Sequence, residues 1–206
     1  MKHMDEYFAK IQKDIEKNEM RMEQGEKTKD QETKSSSPSQ EEVDEGVANG
    51  YLKIDDLELD FQDMSFFENR LQMKFPNKFF EFLTDEVPNN LVYKNVATST
   101  NCFLSLAIGQ KTVDIKKTKE NISKGMAASK MATKWVLEGS RKAAGNMISY
   151  CACINPAPGD LVFNFMIFPI VRDGYIAINI NGSGSNFEKW TLIANAMIKT
   201  MTMPQA

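Results

Sequence analysis

The sequence predicts an α+β fold, an antiparallel β-sheet with two packed α-helices, preceded by a flexible N-terminal arm. Three observations predict it. Large apolar residues are concentrated after residue 50. Short alternating segments recur there between turn signals. Two stretches, 112–138 and 185–203, replace that alternation with helical spacing. The resulting order is strands, a long helix, a three-stranded meander and a C-terminal helix, which suits helices packed on an antiparallel sheet.

Residues 1–23 form the arm. Met4, Tyr7, Phe8, Ile11 and Ile15 recur at helical spacing between charges, which predicts an amphipathic helix. A helix of that length is marginal alone in water, so its stripe needs a surface. Tyr7, Phe8, Ile11 and Ile15 are therefore the candidate partner-binding residues. Residues 24–50 read as a disordered linker, nearly free of large apolar side chains and containing Ser35-Ser36-Ser37-Pro38-Ser39.

Residues 51–206 form the folded domain, of a size that suits one core. Leu52, Ile54, Leu57 and Leu59 suggest an extended segment that slips at Asp55-Asp56. Leu71, Met73 and Phe75 alternate and stop at Pro76, as a strand end does. Phe79, Phe80, Phe82 and Leu83 are a dense apolar knot, strand or short helix. Strands follow at 91–96 and 102–108, the second closed by Gly109. Residues 112–138 read as a helix with Ile115, Ile122, Met126, Thr133 and Val136 along one side. Gly125 weakens or splits it, and Gly139 ends it. Strands at 147–154 and 161–171 flank the turn Asn155-Pro156-Ala157-Pro158-Gly159-Asp160. The second is nearly continuous in apolar character and so central. Arg172-Asp173-Gly174 is a hairpin turn before the returning strand at 175–180. A loop at 181–184 leads to a capping box, Ser185 with Glu188. The last helix aligns Trp190, Ile193, Ala194, Met197 and Met201. The expected core contains Leu104, Phe163, Phe165, Ile167, Ile176, Ile178 and Trp190.

The stretches 160–168, Arg172-Asp173-Gly174-Tyr175-Ile176-Ala177-Ile178-Asn179, Phe187-Glu188-Lys189-Trp190 and 193–201 carry a resemblance. They resemble the last third of small uncharacterised proteins from anaerobic Firmicutes, similar in layout to the PsbP/DcrB-like sandwich. The resemblance spans most of residues 60–203 and excludes arm and linker. It implies a binding module. Domains of that layout include photosystem subunits, a Ran-binding protein and chaperones for secreted effectors, with no shared catalytic residues.

Composition narrows the function further. The net charge is −3, divided between an acidic first fifty residues (−5, from eight basic and thirteen acidic side chains) and a slightly basic remainder (+2). A linker of about 25 residues reaches roughly 25–30 Å, so the acidic arm is long enough to approach the lysine-rich segment 111–142. No run of about 18 apolar residues predicts a membrane helix, and Met1-Lys2-His3-Met4-Asp5-Glu6 lacks the apolar stretch of a signal peptide. The three cysteines, Cys102, Cys151 and Cys153, make no disulfide framework and suit a reducing, cytoplasmic setting.

The tests for reactive chemistry come out empty. His3 is the single histidine and sits in the arm, so no fixed Ser-His-Asp or Cys-His unit is expected. Cys151-Ala152-Cys153 places two sulfurs on one strand face. A metal is conceivable there, but two small buried side chains are the expectation. The loop 181–186 precedes a helix N-terminus but lacks the Gly-Lys-Ser/Thr of a phosphate loop. The Phe-rich segment 61–82 reads as core rather than as a ligand pocket. Aromatic interleaving among the lysines of 111–142 is minimal, so nucleic acid is not the expected partner.

No catalytic, cofactor or metal residue is predicted. The expected function is a non-catalytic protein-binding module: an adaptor, specialised chaperone or secretion-associated accessory protein. An immunity-type toxin inhibitor is the alternative, and an enzyme using carboxylates alone comes third.

Overall fold

The computed structural model describes residues 38–83, 87–129 and 131–204. The arm, its candidate residues Tyr7, Phe8, Ile11 and Ile15, and most of the linker lie outside them. The linker expectation is corrected at its end: Gln40–Asn49 is a helix, α1, with Val43 and Val47 buried. Ser39 and Glu42 close a reciprocal capping box that satisfies the free N–H groups of its first turn. The expectation fails because this helix buries only two valines, too faint a signal in a Ser- and Glu-rich stretch.

Two hairpins follow, β1 (Tyr51–Ile54) with β2 (Leu57–Asp60) and β3 (Gln62–Phe66) with β4 (Leu71–Phe75). The slip expected at Asp55-Asp56 is the first hairpin's turn. The main sheet is antiparallel throughout and runs β5 (Glu81–Leu83), β6 (Asn90–Asn95), β7 (Thr100–Ile108), β12 (Gly174–Ser183), β10 (Asp160–Phe168), β9 (Asn146–Ala157), β8 (Lys134–Ala143). A short β11 (Ile170–Val171) extends β12. Between β7 and β8 lies α2 (Ile115–Ala128), and α3 (Phe187–Thr200) ends the domain.

Three helices stand among the described residues, where the sheet was expected to carry two, and the long one is shorter than its composition suggests. Residues 112–138 contain α2 and the start of β8. Gly125 does not split α2; a Cβ there would meet nothing within 4 Å. Gly139 ends no helix. It lies in β8, where a Cβ would come within 2.7 Å of the Tyr150 hydroxyl, so only glycine lets that side chain cross. Of the loop expected at 181–184, residues 181–183 are the end of β12, and the Ser185–Glu188 capping box is not formed. A 3-10 turn, Gly184–Asn186, precedes α3, whose N-cap Asn186 makes no side-chain cap. The Ser183 hydroxyl instead donates to Asp160 (2.7 Å).

Alternation along the strands divides the sheet into two faces. Leu104, Phe163, Phe165, Ile167, Ile176 and Ile178 are all buried and face the main core. Trp190 of α3 is 2% exposed and packs beside Phe79 (ring centroids 5.6 Å) and Phe80 (6.0 Å). Much of the Phe-rich segment is core: Phe66, Phe75 and Phe80 surround Tyr93, while Phe82 on β5 is exposed. Two charged contacts tie outlying pieces to this body. Asp44 of α1 pairs with Arg141 (2.8 Å) and Lys199. Arg70 donates through Nε and Nη2 to Asp173 (3.0 Å each), joining the β3–β4 turn to the turn before β12.

Candidate functional site

The opposite face of the sheet is built differently. Cross-strand pairing lines up one residue from every strand: Leu83, Val92, Phe103, Asn179, Met166, Cys151 and Glu138, from β5 to β8. The next row, two residues along, is Glu81, Lys94, Asn101, Asn181, Asn164, Cys153 and Trp135. On the β10–β9–β8 side, where α2 sits, the two rows carry Met166, Cys151, Cys153 and Trp135, with Asn164 and Glu138 as their polar members. There Cys151, Cys153, Met166 and Phe168 form a small second core under Val113, Ile115, Ile122 and Trp135. All three thiols are free and buried. Burial pushes Cys151 up to about 11 and Cys153 up to about 12, so both stay protonated and unreactive near neutral pH.

Over β5, β6, β7 and β12 the same face has no helix among the described residues. Leu83, Val92 and Phe103 are only half-buried there. Beside them lies a patch of amides. The Asn101 amide donates to Asn181 Oδ1 (3.0 Å), and the Asn179 amide donates to Asn164 Oδ1 (3.1 Å). Ser105 donates to Asn90 at the margin. Asn179 Oδ1 is buried and accepts no hydrogen bond. A buried acceptor without a donor costs about 1–3 kcal/mol, a cost the isolated domain carries in this row.

Along the far margin, α2 and the edge strand β8 enclose an open groove of about 620 Å³. It is lined by Lys116, Lys119, Glu120, Ser123, Lys124, Trp135 and Glu138. The Asp114 carboxylate caps α2 by accepting from the Lys117 N–H (3.0 Å). Trp135 Nε1–H donates to Ser123 Oγ (3.0 Å), Lys119 Nζ stands 5.2 Å from the Trp135 ring centroid, and Lys119 pairs with Glu138 at 2.7 Å. The groove lies within the lysine-rich segment that sequence reading singled out.

Sequence reading missed Trp135 and the asparagine patch. Trp135 was absorbed into a helix that ends at Ala128. The asparagines had a signal: Asn164 stands between Phe163 and Phe165, and Asn179 and Asn181 alternate with Ile178 and Ile180. Amides at every second position of apolar strands mark a face that does not join the main core.

Among the described residues no cluster of His, Cys, Asp and Glu is placed to hold a metal ion. No helix among them is long and apolar enough to cross a membrane.

No family model matches the chain, and no curated protein does. Solved structures do share its fold. The cyanobacterial PsbP (CyanoP) of Synechocystis sp. PCC 6803 superimposes with a TM-score of 0.57 at 10% identity, over 70% of this chain and 92% of its own. The Ran-binding protein Mog1p of Saccharomyces cerevisiae gives 0.52 at 12% identity, over 70% and 96%. The expected PsbP-like layout is therefore the observed fold, an α+β sandwich of antiparallel sheet and packed helices.

Proposed function

We propose that this chain is a non-catalytic protein-binding module and that its partner lies across the half of the second sheet face that α2 leaves open. The half-buried row Leu83, Val92, Phe103 and Asn179 carries this reading. It supplies an apolar strip, an aromatic anchor and hydrogen-bonding amides on a rigid sheet, the composition of a recognition surface rather than of a reaction centre. The likeness to a Ran-binding protein supports it, since the same fold serves protein recognition there. The protonated, buried thiols argue against cysteine chemistry. An apolar strip of this kind suits a client with an exposed apolar segment, so the adaptor or chaperone roles are the ones we favour, in a reducing compartment that matches the free thiols. The stripe Tyr7, Phe8, Ile11 and Ile15 is proposed as a second contact to the same partner.

A photo-crosslinking residue placed at Phe103 in the full chain, with Glu58 on the β1–β2 hairpin as control, tests this in the source cell. One discrete adduct from position 103 and none from 58 is expected. Phe103→Ala should weaken the complex by about 2 kcal/mol, roughly thirtyfold. Identical adducts from both positions, or a complex indifferent to Phe103→Asp and Val92→Asp, would defeat the proposal.

A further inference from the structure

We infer that the groove between α2 and β8 receives an extended acidic segment of a protein partner. The inference rests on the protein-binding reading and adds the chemistry of what is bound. Lys116 and Lys124 are exposed and have no ion-pair partner among the described residues, whereas Lys119 between them is paired to Glu138. Eight residues of helix separate Lys116 from Lys124, about 12 Å along the axis. Carboxylates four residues apart on an extended chain are about 13 Å apart, so such a segment meets both free lysines at once. One wall of the groove is β8, an edge strand of the sheet, whose backbone groups can pair with an extended peptide. A volume of about 620 Å³ admits a few side chains and not a folded body.

Other anions fit less well. A single phosphate between the two lysines meets Glu120 and Glu138, which also line the groove. Nucleic acid binds single strands by stacking bases on free aromatic faces. Trp135 is the one aromatic lining the groove; its N–H is taken by Ser123 and Lys119 stands over its ring. A peptide can space its carboxylates around the two glutamates, and a uniformly charged phosphate backbone cannot.

The chain has two tryptophans, and Trp190 is in the main core, so Trp135 reports on the groove. The full chain is titrated with an oligoglutamate of about eight residues, long enough to span both lysines. Inorganic phosphate and single-stranded DNA of equal charge are titrated in parallel. A saturable shift in tryptophan emission is expected with oligoglutamate. It should disappear in Trp135→Phe, weaken as salt rises, and require roughly tenfold more peptide in the Lys116→Glu/Lys124→Glu variant. Both substituted lysines are exposed, and an unchanged circular dichroism spectrum confirms that the variant is folded. The inference is overturned if emission does not change, if the charge-reversed variant binds equally well, or if phosphate or DNA acts at the same or lower concentration. Crosslinking at Phe103 is a separate readout: its failure beside a positive titration removes the sheet-face reading and leaves the groove, and the converse removes the groove alone.

Discussion

Replacing Trp190 by alanine tests the division of the sheet into a core face and a more open second face. Trp190 is 2% exposed and lies against Phe79 and Phe80 under α3. Its removal loses the transfer energy of the indole and leaves a cavity that rigid neighbours refill only in part, about 3–5 kcal/mol. For a chain of this size each kcal/mol lowers Tm by about 2–4 °C, so the expected drop is roughly 6–20 °C. Trp135→Ala provides the contrast with identical chemistry on the other face. Trp135 is half-buried, packed on the small second core with one hydrogen bond and one lysine contact, together about 2–3 kcal/mol. Thermal unfolding followed by circular dichroism measures both. A Trp190→Ala protein that melts within two degrees of the parent, or a Trp135→Ala protein that loses more than it does, would show the assignment of faces to be wrong.

Other expectations concern α2 and the thiols beneath it. Gly125→Ala should stabilise the protein by about 0.8–1 kcal/mol, because alanine is the better helix former and a Cβ meets open space there. A lower Tm in that variant would mean that α2 packs differently. Burial raises the thiol pKa of Cys151 and Cys153 to about 11 and about 12, above the roughly 8.5 of an unfolded cysteine. Between those values the unfolded chain loses protons that the folded chain keeps, so stability is complete below about pH 8.5 and falls as pH rises. Urea midpoints at pH 8 and pH 10 should diverge more for the parent than for Cys151→Ala/Cys153→Ala; equal divergence refutes the buried-thiol account.

Where one face of a strand is buried, period-two alternation was legible in the sequence. Leu71, Met73 and Phe75, or Ile176, Ile178 and Ile180, read as strands because every second residue reaches the core. The last helix was legible for the same reason, with Trp190, Ile193, Ala194 and Met197 all buried. Segments whose order depends on distant contacts were not. Helix α1 is fastened by two valines and by the pairing of Asp44 with Arg141 and Lys199, nearly a hundred residues or more away in sequence. The first half of β8, 134–138, fell inside the stretch read as one long helix, and its pairing with β9 makes it a strand. The candidate site was half legible: its lysines were visible as a cluster, but the tryptophan between them and the open amide rows required the register.

That register also explains how one sheet holds both surfaces. In β12, Ile176, Ile178 and Ile180 serve the core, while Ala177, Asn179 and Asn181 lie on the other face. A slip of one residue would bury three amide or small side chains and expose three isoleucines, so core packing fixes where the asparagines stand. The second face carries features that stability alone would disfavour: Asn179 Oδ1 without a donor, and a helix with no buried residue and a glycine in its interior. The core face offsets these costs. A partner bound as proposed would cover the half-buried row Leu83, Val92 and Phe103, so the apolar residues the domain leaves open are the ones a complex would use.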